Sequence, residues 1–216
     1  LVDEKNELGG ATIYENREFN KIENQSSSDW LKKEIQELKN IKNLEIKTRT
    51  SVAAYHGYNY LLARENLTDH LEKKDKQGKI RQRLLKIRAK KVILATGALE
   101  RPLIFNNNDR PGIMLSSAVK KYADFYGVIC GQKTVFFTNN DSAYESALCL
   151  HNKGIKVEAI IDIRDNSDSK IVKAVEDAGI KIHWSHTVVD TSGYKRLKNI
   201  SVMKLSNDGM SVTGNK

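Results

Sequence analysis

Between residues 133 and 163 a strand, a helix and a second strand follow one another at a spacing that leaves few options for the fold. Lys133–Thr138 is a short run rich in β-formers, Asp141 stands where a helix cap belongs, the pattern to Lys153 is helical, and Gly154 can end it. Val157–Ile163 is again apolar and β-branched. About thirty residues is the length of a right-handed crossover joining two parallel strands. A further helix near Ser169–Ala178, ended by Gly179, and a strand at Ile180–Trp184 extend the pattern. The runs Val188–Thr191 and Leu197–Leu205 read as the start of an antiparallel meander.

A second parallel strand is expected earlier in the chain. Val92, Ile93 and Leu94 form a continuous apolar run of the kind buried inside a parallel sheet. It ends in Ala95, Thr96 and Gly97, small residues that let a backbone approach a flat or phosphorylated ligand. Before it, residues 26–39 read as an amphipathic helix. Ser28 or Asp29 can cap it, with Trp30, Leu31, Ile35 and Leu38 on one face. Three strand-like runs follow, Leu44–Thr48, Val52–Leu62 and Arg83–Arg88. The expected fold class is α/β, with two incomplete Rossmann-like parallel-sheet domains and antiparallel meander insertions. Residues 1–110 are expected to form a first dinucleotide-binding domain lacking its N-terminal βα unit. Residues 111–130 are expected to form a linker and helix, the helix at 116–126 with Ser116 as its cap. Residues 131–216 are expected to form a second Rossmann-like domain lacking its C-terminal part.

The first domain carries the candidate binding residues. Leu1-Val2 followed by Asp3-Glu4 reads as a strand end, where an acid hydrogen-bonds the ribose hydroxyls of a dinucleotide. The glycine turn that meets the phosphates would lie about 20 residues upstream of such an acid, outside this sequence. The second domain keeps the strand–turn–helix order but not the glycines. Thr138-Asn139-Asn140-Asp141-Ser142-Ala143 stands where G-x-G-x-x-G/A belongs. Asn140 fills space that a pyrophosphate needs, and Asp141 repels it. That domain is expected to keep the fold without binding a nucleotide. Asp162 and Arg164, at the ribose-reading position, are expected to be a strand-end ion pair or surface charges.

Other chemistries are poorly served. Cys130 and Cys149 are nineteen residues apart and no C-x-x-C occurs, which excludes a dithiol relay and a cysteine-based zinc site. His183 and His186, read as lying on one strand, would point to opposite faces and not share a metal. No nucleophile–base set can be assembled, so no catalytic residue is expected. The net charge of +9 reflects a Lys-rich surface. Its densest cluster, from Lys73 to Arg83, contains acids and no aromatic residue, which suits a solvated loop better than a nucleic-acid groove. No apolar run approaches the roughly 18 residues of a membrane span. A cytoplasmic location and no membrane or nucleic-acid partner are expected.

The stretch 88–115, with Ala95-Thr96-Gly97-Ala98-Leu99-Glu100-Arg101-Pro102 and then Asn108-Asp109-Arg110-Pro111-Gly112, resembles the alpha subunit of heterotetrameric sarcosine oxidase. The runs 126–148 and 159–164 carry the same resemblance, and the glycine-free turn at 138–143 looks like that family's pattern. Opine and proline dehydrogenase subunits share the first of these motifs but continue differently, so an FAD-dependent amino-acid dehydrogenase subunit stands as the alternative, beside a purely structural assembly region. The resemblance implies a glutathione-reductase-like, FAD/NAD(P)-binding region. It implies NAD, or alternatively FAD, in the first domain, with FAD and FMN in the assembled enzyme. It also implies beta, gamma and delta partner subunits and a tetrahydrofolate-binding module elsewhere in the alpha chain. The implied reaction is oxidative demethylation of sarcosine to glycine with oxygen, giving hydrogen peroxide and a one-carbon unit. Residue by residue, it implies Asp3 and Glu4 at the ribose, Gly9 and Gly10 at a close turn, Val52 at the adenine, and Ala95, Thr96 and Gly97 against the dinucleotide.

Overall fold

A computed structural model describes residues 1–14 and 21–214, which fall into two compact units, residues 1–98 and 99–216. The first unit opens with an extended segment. Val2 forms a parallel bridge with Lys47, the Asp3 amide donates to the Lys47 carbonyl at 2.9 Å, and the Thr50 amide donates to the Asp3 carbonyl at 2.9 Å. The strand expected at Leu44–Thr48 is reduced to this single bridge. A 3-10 turn at Gly10–Tyr14 and a small hairpin, β1 (Lys21–Ile22) and β2 (Gln25–Ser26), lead into helix α1 (Ser27–Lys39). The cap is Ser26, not Ser28 or Asp29: its hydroxyl accepts from the Asp29 amide at 3.1 Å and donates to the Asp29 carboxylate at 2.7 Å. The expected apolar positions, Trp30, Leu31, Ile35 and Leu38, are all half-buried.

The rest of the first unit is a three-stranded antiparallel meander, β3 (Thr50–His56), β4 (Tyr60–Asn66) and β5 (Gln82–Arg88), with β4 in the middle. Leu61 and Ala63 on β4 are buried, the alternate-residue signature of a sheet covered on one face. After β5 the chain departs from expectation. Residues 91–98 form no strand; Ile93 is 92% exposed and Leu94 66% exposed. A parallel strand is held by neighbours on both sides. Among the described residues none pairs with this run, so its apolar side chains stay in solvent.

The second unit matches its sequence pattern closely. Helix α2 (Ser116–Asp124) precedes a parallel sheet of β6 (Lys133–Thr138), β7 (Lys156–Asp162) and β8 (Ile182–His183), in that order across the sheet. The crossovers are α3 (Ser142–Asn152) and α4 (Lys170–Asp177). Seven of the residues of α3 from Ala143 to Leu150 are buried, so this helix forms the centre of the unit rather than its surface. Ile160 on β7 and Val175 on α4 have no exposed surface. A second sheet, antiparallel, follows as β9 (His186–Ser192), β10 (Asn199–Leu205) and β11 (Val212–Thr213). Among the described residues no helix is long and apolar enough to cross a membrane.

Ile160 tests this core. Ile160→Ala removes a side chain with no exposed surface from the middle of the parallel sheet and should cost about 2–5 kcal/mol. Denaturant unfolding followed by Trp184 fluorescence reads it. A loss below about 1 kcal/mol would show that the sheet repacks around the gap.

Candidate functional site

In the first unit the expected ribose acid has a defined place. Asp3 lies beside the start of β3, its main chain bonded to Lys47 and Thr50. One carboxylate oxygen, Oδ1, accepts from the Lys5 amide at 2.8 Å and so fixes the side chain, leaving Oδ2 for an outside donor. Val52 is on the same β3 strand, 44% exposed, next to the bulge between Val52 and Ala54. The structure therefore gathers Asp3 and Val52 along one strand pair. Glu4, adjacent, is exposed.

The two glycines differ in kind. A Cβ on Gly9 would come within 2.5 Å of Leu31 and 2.9 Å of Ile13, so its smallness serves packing against α1. Gly10, at φ +57, has nothing within 4 Å of its would-be Cβ and presents bare backbone to open space. Ala95, Thr96 and Gly97 are exposed, Gly97 at φ +70, and no hydrogen bond to a described residue ties them to the Asp3 and Val52 pair.

The second unit has the nucleotide-type crevice at the C-terminal end of its parallel strands, and the chain's own side chains fill it. Asp162 ends β7 with no exposed surface. Arg164 folds back to grip it, Nε to Oδ1 at 3.1 Å and Nη2 to Oδ2 at 2.7 Å, and reaches Asp141 at 2.8 Å with the same terminal nitrogen. The Tyr144 hydroxyl, from the first turn of α3, donates to Asp162 at 2.8 Å. Tyr144 stacks on Trp184 with ring centroids 6.1 Å apart, and the guanidinium lies about 6 Å from both rings. Burial and then the neighbouring Asp162 carboxylate push the Tyr144 phenol well above its usual range. The bonds to Asp162 lead the forces that raise Arg164, so it stays charged at every accessible pH.

The turn itself is closed. The Asn140 side-chain oxygen accepts from the Ser142 amide at 3.0 Å and from its hydroxyl at 2.6 Å, while Thr138 Oγ1 bonds across the turn to Asn140. A pyrophosphate at a helix N-terminus needs such free amides; here Asn140 takes the one that Ser142 offers. Asp141 heads α3 without making a side-chain cap. Its carboxyl is pushed up by burial, but Ser169, Arg164 and Ser167 outweigh that and hold it below the usual carboxylate range. The expected strand-end pair of Asp162 and Arg164 is thus present, with Asp141, Tyr144 and Trp184 joining it.

Glu100 is a residue that local reading misses. Its carboxylate accepts from the Ser116 amide at 3.0 Å, the Ser116 hydroxyl at 2.8 Å and the Ser117 amide at 2.8 Å. The cap of α2 therefore comes from sixteen residues upstream, while Leu115 occupies the cap position with no side-chain bond. The signal was the Glu100 of the 95–102 run, unexplained by strand or turn. Arg110 is the second such residue. It donates to the Gly193 carbonyl and to Thr191 at 3.3 Å, while Asn107 donates to Asp190 at 3.0 Å, tying residues 107–110 to β9.

Cysteine and histidine add little. Burial, then Asp124, pushes the Cys149 thiol up to about 12, so it is an inert core group. His183 and His186 overturn the opposite-face expectation: a turn at Trp184 and Ser185 separates them and brings their rings to 5.6 Å. Among the described residues no group of three or more metal-ligating side chains forms.

A parallel sheet with α crossovers, preceded by an antiparallel meander, is the architecture of the FAD- and NAD-binding oxidoreductases, and solved structures agree on the fold. Thioredoxin reductase from T. acidophilum superposes with a TM-score of 0.62 at 14% identity, covering 94% of this chain and 61% of that one. L-proline dehydrogenase from P. horikoshii gives 0.57 at 21% identity, covering 92% and 32%. No family model matches. The sequence comparisons are narrower: the chain is similar along most of its length to the alpha subunit of sarcosine oxidase. It is 37% identical over 210 residues to that of Corynebacterium sp. strain P-1, covering 96% of this chain and 21% of the relative. It is 35% identical over 164 residues to that of Rhizobium meliloti strain 1021, covering 76% and 16%. The chain thus spans about one fifth of the length of the curated relatives it matches.

Two substitutions test these contacts. Glu100→Ala should lower stability by about 1 kcal/mol near neutral pH, the usual value of a lost helix cap. Burial raises the Glu100 carboxyl, and the bonds from Ser117 and Ser116 outweigh it, leaving the pKa lowered. A lowered folded pKa stabilises above the unfolded value and is lost as pH falls through the folded one, so the wild-type advantage should begin to shrink near the ordinary carboxylate value of about 4.3 and disappear only below the lowered folded pKa. An unchanged gap at pH 3 would count against a charged cap. Arg164→Met should cost about 3–5 kcal/mol by stranding a buried carboxylate, and Asp162→Asn in the same chain should restore part of that. Additive losses in a double-mutant cycle would show that the two side chains do not depend on each other.

Proposed function

We propose that this chain is the dinucleotide-binding stretch of an alpha-type subunit in a multi-subunit flavoenzyme that oxidatively demethylates sarcosine. In that reading sarcosine and oxygen give glycine and hydrogen peroxide, and the one-carbon unit passes to tetrahydrofolate. The single observation that supports it most is the 37% identity to a sarcosine oxidase alpha subunit over 210 residues. Amine oxidation then belongs to the partner subunits and their flavins. The region here binds a dinucleotide and supports assembly with beta, gamma and delta chains. Two free cysteines suit a reducing, cytoplasmic setting.

The dinucleotide is assigned to the first unit. Asp3, held by the Lys5 amide, offers Oδ2 to a ribose hydroxyl, with exposed Glu4 beside it. Val52 offers half-exposed β3 backbone and an apolar side chain to the adenine. Gly10 leaves room for close approach, Gly9 supports that turn by packing on α1, and Ala95, Thr96 and Gly97 supply an unobstructed backbone. The group is NAD, with FAD the alternative. In this reading, which follows the sarcosine oxidase resemblance, it is a bound structural element, and Asp3 and Glu4 hold its ribose without taking part in chemistry. The second unit takes no nucleotide, because Arg164, Asp141 and Asn140 already saturate its crevice.

The test is extraction. Full-length protein carrying this chain, purified with its partners, is denatured and its released nucleotides separated by chromatography. NAD should be released alongside flavin, and Asp3→Ala should deplete NAD while leaving the flavins. Depletion of FAD instead would give the site to FAD. Unchanged nucleotide content in Asp3→Ala would remove Asp3 from the site, and a preparation without any dinucleotide would overturn the reading.

A further inference from the structure

The connection from β4 to β5 is not a loose loop. The Leu67 amide donates to the Arg81 carbonyl at 3.0 Å, and Gln82 Nε2 donates to the Asn66 side-chain oxygen at 2.7 Å. The 3-10 turn Lys73–Lys76 folds between these ends, with the Lys79 amide bonded to the Lys76 carbonyl at 3.1 Å. The result is a groove of about 650 Å³ in the first unit, which shares no residue with the Asp3 and Val52 set. Small-molecule sites usually span roughly 300–1,000 Å³.

Its lining is chemically one-sided. Arg64, Lys76 and Arg81 all face it, and none of their side chains has an ion-pair or hydrogen-bond partner among the described residues. The one acid in the lining, Asp69, is already engaged by Arg49 at 2.9 Å and by His70 at 3.4 Å. Thr68 also lines the groove. It is only 4% exposed, and its hydroxyl has no partner among the described residues. Three uncompensated cations and a threonine lining one groove mark a place for an acceptor-rich anion. Two guanidinium forks match tetrahedral oxyanions with paired N–H groups, and an ammonium adds a mobile point charge. Among the described residues no aromatic side chain lines the groove, so a single strand of nucleic acid would find nothing there to stack on.

We propose that this groove binds a phosphate-bearing small molecule, gripped by Arg64, Lys76 and Arg81 with the Thr68 hydroxyl as a fourth donor. The basic run between Lys73 and Arg83, expected from sequence to be a solvated loop, is here in part a folded wall of that site. The proposal is independent of the sarcosine reading and of the dinucleotide in the same unit.

Calorimetric titration of the full-length protein with inorganic triphosphate, at fixed ionic strength, tests it. Wild type should show saturable one-site binding. Arg64→Ala/Arg81→Ala should weaken it at least tenfold without lowering the melting temperature, since both side chains are exposed. Thr68→Val should weaken it less. The second-unit control Lys133→Ala should leave it unchanged. Displacement of the bound triphosphate by NAD would place it at the dinucleotide site and overturn the proposal. So would equal affinity in wild type and the double variant, or heat that never saturates. Inorganic sulfate at the same ionic strength should compete weakly; equal competition by chloride would mean screening and also overturn it.

Discussion

A carboxylate with no exposed surface ends the central strand of the second unit, and an uncompensated charge there would cost several kcal/mol. Asp162 therefore dictates its surroundings. The Arg164 fork must turn back on the strand that precedes it, and Tyr144 must start α3 with its hydroxyl aimed at the same oxygen. Asp141, at the head of α3, takes what remains of the guanidinium. Strand end, turn and helix start are thus locked by one charge cluster. In a nucleotide-binding relative those three pieces meet through the ligand; here they meet through a side chain carried by the fold itself.

The same logic runs through the segment that precedes the parallel sheet. Residues 99–112 have no secondary structure of their own, yet Glu100 caps α2 and Arg110 fastens onto β9. An irregular backbone must find partners for its polar groups or stay in water. This one is held by Glu100 and Arg110 near its two ends, by Asn107 on Asp190, and by one main-chain bond from the Leu197 amide to the Pro111 carbonyl at 2.8 Å. That explains why a stretch that looks like a linker carries so specific a pattern of Glu, Arg, Asp and Pro.

Legibility followed the range of the interactions. Strands 133–138 and 157–162 and helices α3 and α4 could be read because periodicity and glycine stops are local signals, and each crossover closes within its own thirty or so residues. Asp162 and Arg164 were readable as a pair because they are two residues apart. Tyr144, Trp184 and Asp141 joined them only in three dimensions. The Glu100 cap was invisible because a cap motif is read within four residues, and here the acceptor lies sixteen residues away. The run Val92–Leu94 shows the opposite failure. Its apolar character predicts burial, but burial of a parallel strand belongs to its neighbours, and among the described residues none flanks it. For the candidate dinucleotide site, sequence put Asp3 at a strand end and Val52 on a later strand, while their adjacency and the packing role of Gly9 against Leu31 required coordinates.

Under the proposed reading one scaffold assigns binding to one unit and rigidity to the other. A buried ion cluster is poor evidence of extra stability, since well-packed apolar residues often do as well. Its use is specificity: a guanidinium between two carboxylates and two aromatic rings can occupy one position only. In the second unit the charge cluster does for the sheet edge what a bound diphosphate does elsewhere, without depending on ligand concentration. Among the described residues no such cluster forms at Asp3, and its second oxygen and the backbone at Gly10 remain open. Under the proposed reading that difference is what divides the labour, because a unit that must accept a dinucleotide cannot also satisfy its own ribose acid.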